Sequence, residues 1–233
     1  MEKRVLVHPF FMYFLFVFNI ERITCIWYFI FMNNEDKILE KMKENNGIIT
    51  TKEVIEMGIS SKTITRLVRK DKLRKITKGM YVDKENFNDP YFEKLARCRQ
   101  GIYSHESAFY LYGLIKEPNV YQITIPSHYN TRIITHDENE FFYLKKNICI
   151  YGIEKLETIE KNEVNVYNVD RTICDILHDS KRITENRLNM LFSVYLNYEN
   201  KNIKKAFEYA KILNVEDKLE YMLKRKGKNV WEH

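Results

Sequence analysis

The chain has 233 residues, of which 30% are charged and 45% are hydrophobic. This composition is typical of a folded protein of two modest domains and excludes an intrinsically disordered chain. The formal net charge is only +6. A nucleic-acid contact would therefore have to lie in a locally basic segment rather than over the whole surface.

The segment 1–31 differs from the rest of the chain, since it holds seven of the 14 Phe. Pro9, Asn19 and the Glu21–Arg22 pair interrupt its apolar runs, whereas a membrane-spanning helix needs about 20 consecutive apolar residues. A signal peptide would need a small-residue cleavage site, and none follows. Three interpretations stay open: upstream sequence read in frame before a start at Met32, a membrane anchor, or a signal peptide. We expect the first, and a membrane contact only if residues 1–31 belong to the native protein.

Two short helices joined by a turn are predicted between residues 48 and 70. Thr51 is expected to cap the first helix, TKEVIEM, and Ser60 or Ser61 the second, SKTITRLVRK. Gly58 between them allows the positive backbone angle of a tight turn. The second helix carries an apolar face at helical spacing, formed by Ile64, Leu67 and Val68. The pattern predicts a helix-turn-helix.

A basic hairpin follows the second predicted helix. Residues 73–76 and 80–82 read as strands around Gly79, which indicates the wing of a winged helix. Between Ser61 and Val82 the only acid is Asp71, whereas the basic residues number eight: Lys62, Arg66, Arg69, Lys70, Lys72, Arg74, Lys75 and Lys78. A solvated helix face normally mixes its signs, so this one-sided charge predicts a surface that faces phosphates.

The remaining elements give an α+β fold class. A first helix over 35–44 ends at Asn45-Asn46-Gly47, and Ile48–Ile49 are expected to add a small third strand. We expect a winged-helix domain over 32–83, a linker over 84–90 and a mixed α/β domain over 91–233 whose C-terminal part is helical. In the second domain, helices are predicted at 91–99, 104–113 and after Asp170, and three more from 184 to 226. Strands are predicted at 120–125, 133–134, 141–144, 147–151, 153–159 and 164–167.

Three local motifs follow one another in a characteristic order. They are Lys78-Gly79-Met80-Tyr81, then Tyr103-Ser104-His105-Glu106-Ser107-Ala108 running on to Tyr112-Gly113-Leu114, then Asp170-Arg171-Thr172 before Asp175. Over residues 32–178 the sequence resembles the AbiEi antitoxins of type IV toxin–antitoxin and abortive-infection systems. The resemblance implies a winged helix that represses its own operon and a C-terminal domain that counteracts a nucleotidyltransferase-like toxin encoded nearby. It implies a DNA-binding transcriptional regulator. The scattered cysteines predict a reducing compartment, the cytoplasm, and the lack of a catalytic motif predicts a protein that is not an enzyme.

The expected DNA contacts fall into two groups. Base edges are reached from the first part of a recognition helix, so the readers would be Ser61, Lys62, Thr63, Thr65 and Arg66. Phosphates would be held by Arg69, Lys70, Arg74, Lys75 and Lys78. The partner is double-stranded DNA of the protein's own promoter, with inverted repeats that two monomers could fill. Winged helices also dock proteins, and this alternative stays open.

The motif residues of the second domain are Ser104, His105, Glu106, Asp170, Arg171 and Asp175. His105 and Glu106 could form an acid–base pair, but adjacent helical residues point about 100° apart. The simpler interpretation is that Ser104 and Glu106 cap a helix, that Asp170 caps another, and that Arg171 pairs with a carboxylate within the domain. The alternative is a phosphate or metal site. A nucleic-acid-processing enzyme would require these groups to converge in a pocket.

The sequence carries no motif for a cofactor or a metal. The four cysteines are scattered, and no pair shows the spacing of a zinc site or a disulfide framework. No Gly-rich phosphate loop and no hydrolase motif occurs. A second basic cluster, LKRKGK at 223–228, is either a solvated helix end or an added contact for nucleic acid or an acidic partner.

Overall fold

The computed structural model describes residues 32–130 and 139–227. The chain divides into two compact units, one ending at Phe87 and the other starting at Asn88. Three predictions lie outside the described residues: those on the segment 1–31, the strand at 133–134, and the end of the basic cluster at Lys228.

The first unit contains three helices and three strands. In chain order they are α1 (Asn34–Glu44), β1 (Ile48–Thr50), α2 (Thr51–Glu56), α3 (Lys62–Arg69), β2 (Leu73–Thr77) and β3 (Met80–Asp83). The strands form an antiparallel sheet in the order β1-β3-β2, in which Ile48 pairs with Val82 and Lys75 with Tyr81. The predicted helices, the hairpin and the small third strand from Ile48 are all confirmed.

Capping and turn residues explain the local folding of this unit. α2 is capped by Thr50, so the prediction of Thr51 was wrong by one residue. Thr50 accepts a bond from the Glu53 N–H while the Glu53 carboxylate accepts from the Thr50 N–H, which satisfies two otherwise unpaired donors. Gly58 has the predicted positive φ, at 74°. Gly79 has a φ of 80° at the turn between β2 and β3.

A small apolar core joins the three helices to the sheet. It is formed by Ile38, Met42, Ile49, Val54, Ile59, Ile64, Leu67 and Leu73, all buried, with Val68 packed against them. Ile64 and Leu67 therefore anchor α3 as its helical spacing predicted. The opposite side of α3 is left to solvent.

The second unit is also mixed α and β. Its elements are α4 (Pro90–Arg97), β4 (Ile102–Tyr103), α5 (His105–Leu111), β5 (Tyr121–Pro126), β6 (Asn139–Leu144), α6 (Lys146–Cys149), β7 (Ile153–Glu157), β8 (Glu163–Tyr167), α7 (Val169–His178), α8 (Glu185–Asn197), α9 (Ile203–Leu213) and α10 (Glu216–Arg225). A 3₁₀ turn at Ser180–Arg182 follows α7. The α+β class and the helical C-terminal part are confirmed.

A five-stranded mixed sheet organises this unit, in the order β6-β5-β4-β8-β7. The β5–β6 and β4–β8 pairs are parallel, and the β4–β5 and β7–β8 pairs are antiparallel. One apolar cluster includes Tyr103, Ile123, Ile125 and Val166 from the sheet. A larger cluster packs α7 among α8, α9 and α10. The short strand β4 therefore lies at the centre of the sheet, directly before the Ser104–His105 motif.

Three element assignments from the sequence need correction. The strand predicted at 147–151 is instead the end of the short helix α6 and the turn after it, where the carbonyls of Ile148 and Tyr151 accept from Arg171. α7 is capped by Asn168, whose side chain accepts from the Arg171 N–H, so Asp170 is not the N-cap. α4 begins at Pro90, inside the segment predicted as a linker, because proline suits the first position of a helix.

Candidate nucleic-acid interface

The side of α3 that faces away from the core carries the side chains predicted to contact DNA. Lys62, Thr65, Arg66 and Arg69 are exposed, as is Lys70 at the C-cap. The helix has no acidic residue in its first turn and two arginines in its last. These residues form one polar, basic face opposite the buried Ile64 and Leu67.

Thr63 does not belong to this face, which corrects its assignment as a base reader. Only 7% of Thr63 is exposed, because its position on α3 turns it toward the same side as Ile64 and Leu67. Ser61 is exposed at the N-cap of α3 but makes no capping hydrogen bond. The neighbouring Ser60 hydroxyl accepts from the Lys62 N–H instead, at 3.3 Å. The Ser61 hydroxyl is therefore not used to cap the helix.

The hairpin adds three cations to those of α3. Lys75 and Lys78 are exposed, whereas Arg74 is half-buried on the neighbouring position of β2. Side chains alternate between the faces of a strand, so Leu73 and Arg74 lie on opposite sides. Within the described residues no ion pair is recorded for Lys62, Arg69, Lys75 or Lys78, which leaves their charges available to a partner.

Glu35 and Asp71 form ion pairs at the basic segment 61–82 or beside it. Glu35 of α1 contacts Arg66, with Nε 2.5 Å from Oε1, and Lys70, with Nζ 2.9 Å from Oε2. Hydrogen bonding from Lys70, with a contribution from Arg66, lowers the pKa of the Glu35 carboxyl. Asp71 pairs with Lys84 at 2.5 Å. The sequence showed a segment that is almost entirely positive in charge. It did not show that Glu35, about 30 residues earlier in the chain, lies beside that segment in the fold.

Ser104 and His105 lie in the interior of the second unit. Ser104 occupies the N-cap of α5 without a capping bond; its hydroxyl contacts His105 Nδ1 at 2.9 Å and accepts from the Thr124 hydroxyl at 2.8 Å. His105 is 1% exposed, has a φ of 51° and stacks on Phe142 with ring centroids 3.6 Å apart. The prediction that Ser104 caps through its side chain was therefore wrong. Its hydroxyl orients the imidazole instead.

The next residue of the motif points away from this interior pair. The Glu106 carboxylate binds the guanidinium of Arg187 on α8, with Nε 3.1 Å from Oε1. It makes no contact with the His105 ring, so the two do not form an acid–base pair. Glu106 instead joins the start of α5 to a helix of the C-terminal part.

The Asp170 carboxylate forms hydrogen bonds within the second unit. Its Oδ1 accepts from the Tyr195 hydroxyl at 3.0 Å and from the Asn202 N–H at 2.8 Å. Burial raises the pKa of the Asp170 carboxyl, and these hydrogen bonds oppose the rise. The residue links α7 to α8 and to the start of α9.

Arg171 is the largest fully buried side chain of the described residues, with 0% exposure. Its Nε and one terminal nitrogen donate to Asp175 Oδ1, both at 3.1 Å, and the other donates to the carbonyls of Ile148 and Tyr151. Its guanidinium also lies over the Tyr167 ring, 4.3 Å from the centroid. The prediction that Arg171 pairs with a carboxylate of its own domain is confirmed.

The partner of Arg171 is equally buried. Asp175 is 2% exposed, and burial raises the pKa of its carboxyl in spite of the arginine beside it. Its Oδ2 has no hydrogen-bond partner among the described residues. These groups thus form a buried ion pair that connects α7 to the α6–β7 turn, out of reach of a substrate.

A surface cavity of the second unit lies elsewhere. It has a volume of about 200 Å³ and is lined by Asp89, Tyr91, Tyr110, Glu117, Thr158 and Ile159 among others. The Asp89 carboxylate is already occupied by Thr158 and Asn162, at 2.5 and 2.7 Å. No residue of the Ser104–His105 or Asp170–Asp175 motifs lines this cavity.

Cysteines and possible metal ligands were also located. Cys98, Cys149 and Cys174 are buried free thiols. In residues 32–130 and 139–227 no three His, Cys, Asp or Glu side chains come together as a metal site would require. No helix in this described part is long and apolar enough to cross a membrane.

Comparison with known proteins gives a family match within the first unit. Residues 36–82 match the model of the AbiEi_4 family, described as "Transcriptional regulator, AbiEi antitoxin". The match confirms the AbiEi resemblance over α1 to β3. No curated protein matches the chain. Among solved structures, the chain is similar to the RV2827C protein from Mycobacterium tuberculosis. The two are 13% identical in sequence, and the similarity has a TM-score of 0.45 and covers 83% of this chain and 82% of that chain.

Proposed function

We propose that residues 32–83 form a winged helix that binds double-stranded DNA upstream of its own gene and represses transcription there. α3 is the recognition helix, and the β2–β3 hairpin is the wing. The observation that carries the proposal is the exposed basic face of α3, continued by Lys75 and Lys78 on the hairpin. The family description of a transcriptional regulator over the same residues supports it.

The face divides into readers and phosphate contacts. Residues in the first part of a recognition helix reach base edges, which gives the role of reader to Ser61, Lys62, Thr65 and Arg66. Arg69, Lys70, Arg74, Lys75 and Lys78 lie further along α3 or on the hairpin, where they hold the DNA backbone. Thr63 is left out because its side chain is buried. The proposal thus assigns sequence discrimination to α3 and most of the salt-dependent affinity to the hairpin and the end of α3.

The test is binding of the 32–233 protein to a labelled duplex from upstream of its own gene. A scrambled duplex of equal length is the control, and salt is varied. We expect preference for the promoter duplex and a log–log salt dependence that corresponds to several phosphate contacts, with a slope of about −0.9 for each. Equal weak binding to both duplexes would contradict a reading function and would favour the protein-docking alternative.

A double substitution tests the placement of the recognition helix. Lys62→Ala with Arg66→Ala should lower affinity for the promoter duplex by about a hundredfold, because at least one base contact and one further positive charge are lost. The matched control is Lys204→Ala with Lys211→Ala, which removes two exposed cations from α9. The control should bind as the unmodified protein does. Equal losses in both variants would show that only net charge matters.

For the second unit we propose a role as antitoxin, opposing a nucleotidyltransferase-like toxin encoded nearby. This role is supported by the AbiEi resemblance over residues 32–178 and by the match of residues 36–82, in the first unit, to a family described as an AbiEi antitoxin. Co-expression with the neighbouring toxin gene should restore growth, and the Lys62→Ala, Arg66→Ala variant should restore it equally when both genes are placed under foreign promoters. Failure of the unmodified chain to rescue growth would overturn the antitoxin role without affecting the DNA-binding proposal.

A further inference from the structure

An acidic side chain lies against the proposed recognition helix. Glu35, in the first turn of α1, contacts Arg66 Nε at 2.5 Å and Lys70 Nζ at 2.9 Å. The Glu35 side chain is 13% exposed, whereas those of Arg66 and Lys70 are 57% and 51% exposed. The carboxylate therefore lies beneath the two cations and not between them and solvent.

A negative charge at this place opposes DNA binding if only net charge is considered. DNA is a dense array of phosphates, and a carboxylate within a basic face weakens attraction to any sequence. Glu35 neutralises one of the two cations it contacts. Its presence therefore needs a reason other than general affinity.

The geometry of the contact supplies that reason. An arginine guanidinium has five N–H donors in a rigid planar fork, and Glu35 Oε1 lies beside the Nε end of that fork, 2.5 Å from the nitrogen. The four donors on the two terminal nitrogens remain able to bind the O6 and N7 atoms of guanine together. An ion pair at Nε holds the guanidinium against α1 and limits its rotation, while the side chain stays more than half exposed. A reader held in this way loses less conformational freedom when it meets its base.

We propose that Glu35 is a positioning residue for base recognition, which holds the Arg66 fork in the orientation that contacts a guanine in the major groove. This inference rests on the proposed DNA-binding function and deepens it: the operator should contain a guanine opposite Arg66 in each half-site. Lys70 shares the carboxylate and keeps it ionised, since the Lys70 contact lowers the pKa of Glu35.

For Glu35→Gln, a simple charge effect and a loss of positioning predict changes of opposite sign in the affinity for the promoter duplex. Loss of a negative charge alone would raise affinity for the promoter duplex and for the scrambled duplex alike. Loss of the support for Arg66 should instead lower affinity for the promoter duplex about tenfold, the order of one base contact, and leave the scrambled duplex bound as well as before or better. The salt slope on the promoter duplex should not become shallower, because no phosphate contact is removed and Lys70 is released from Glu35.

The matched control is Glu40→Gln on the same helix, where the carboxylate pairs with the exposed Lys43. It removes the same charge without touching α3, and it should raise binding to both duplexes slightly. Thermal unfolding of the three proteins separates positioning from loss of fold. Arg66→Lys keeps the charge but loses the Nε donor, so Glu35→Gln added to Arg66→Lys should have no further effect on discrimination.

The outcomes separate this inference from the one on which it rests. Equal binding of both duplexes by the unmodified protein overturns both. A promoter preference that Glu35→Gln retains, or an equal change on both duplexes, overturns the positioning role alone. A loss confined to the promoter duplex, at unchanged thermal stability and with a salt slope that is not reduced, supports it.

Discussion

Two arginines show how differently the two units use the same side chain. Arg66 in the first unit lies on the surface, supported at Nε by Glu35, with a side chain that is 57% exposed. Arg171 in the second unit is 0% exposed, and every nitrogen of its guanidinium donates to Asp175 or to a backbone carbonyl. The Arg66 side chain can reach a binding partner, whereas all the donor nitrogens of Arg171 are already bonded within the second unit.

The contrast extends to the polar motifs that surround each arginine. The basic run of the first unit turns outward because its apolar positions are taken by Ile64 and Leu67. The Ser104–His105 and Asp170–Asp175 motifs of the second unit turn inward and connect elements distant in sequence. A polar motif is therefore no guide to a site until its burial is known. In this chain the buried motifs connect elements of the fold, and the exposed one forms the surface for which we propose DNA binding.

The largest expected effect tests the buried arginine. Arg171→Met leaves the Asp175 carboxylate buried without its partner, so we expect the free energy of unfolding of the second unit to fall by about 4 kcal/mol. Urea unfolding followed by circular dichroism measures it. The corresponding change in the first unit, Arg69→Met, should alter stability by less than about 0.5 kcal/mol because that side chain is exposed. A loss below about 1 kcal/mol for Arg171→Met would show that the buried pair is not a structural joint.

A second variant keeps this prediction testable if Arg171→Met does not fold. Arg171→Met combined with Asp175→Leu removes both charges and leaves apolar groups of similar size. Most of the stability should return, since a buried ion pair contributes little compared with well-packed apolar side chains. If the double variant is as unstable as the single one, the carbonyls of Ile148 and Tyr151 are the more important partners.

The structure of the first unit follows from its sequence more fully than that of the second, for physical reasons. In the first unit helical spacing, turn glycines and charge are local signals, and they predicted α1 to β3 and the exposed face. Thr63 was misplaced because a polar residue beside an apolar face can turn inward. In the second unit the Asp175 partner of Arg171 is local, but its two carbonyl partners, on Ile148 and Tyr151, lie about 20 residues away, which no local pattern reveals. The prediction of a strand at 147–151 was wrong because a short apolar run fits a strand or a helix equally well.

A smaller effect concerns the turn that receives Arg171. Gly152 has a φ of 79°, and a Cβ added there would lie 2.7 Å from the Arg171 Cβ. Gly152→Ala should therefore destabilise the second unit by about 3 kcal/mol, through backbone strain and overlap together. Gly113→Ala is the control, because Gly113 also has a positive φ, 72°, but nothing within 4 Å of the added Cβ. It should cost about 1 kcal/mol. Equal losses would mean that the close approach to Arg171 is unimportant.

The smallest effect is a pH dependence at the end of α7. His178 Nδ1 lies 3.1 Å from Asp179 Oδ2, and this contact raises the pKa of the imidazole. Burial alone would raise the pKa of Asp179, but the contacts with His105 and His178 outweigh it and lower that pKa.

A raised histidine pKa stabilises the fold below the unfolded-state pKa of about 6.5, and this contribution disappears as pH rises through the folded-state value. The lowered pKa of Asp179 stabilises the fold at pH values above the ordinary pKa range of aspartate. The His178–Asp179 pair therefore contributes most to stability at mildly acidic pH. His178 is 39% exposed, and solvent screening limits its share to about 0.5 kcal/mol. His178→Gln should lower the free energy of unfolding by that amount at pH 6 and leave it unchanged at pH 9, as measured by urea titration. An equal loss at both pH values would assign the role of His178 to packing, and would place it with the buried groups of the second unit rather than with its exposed charges.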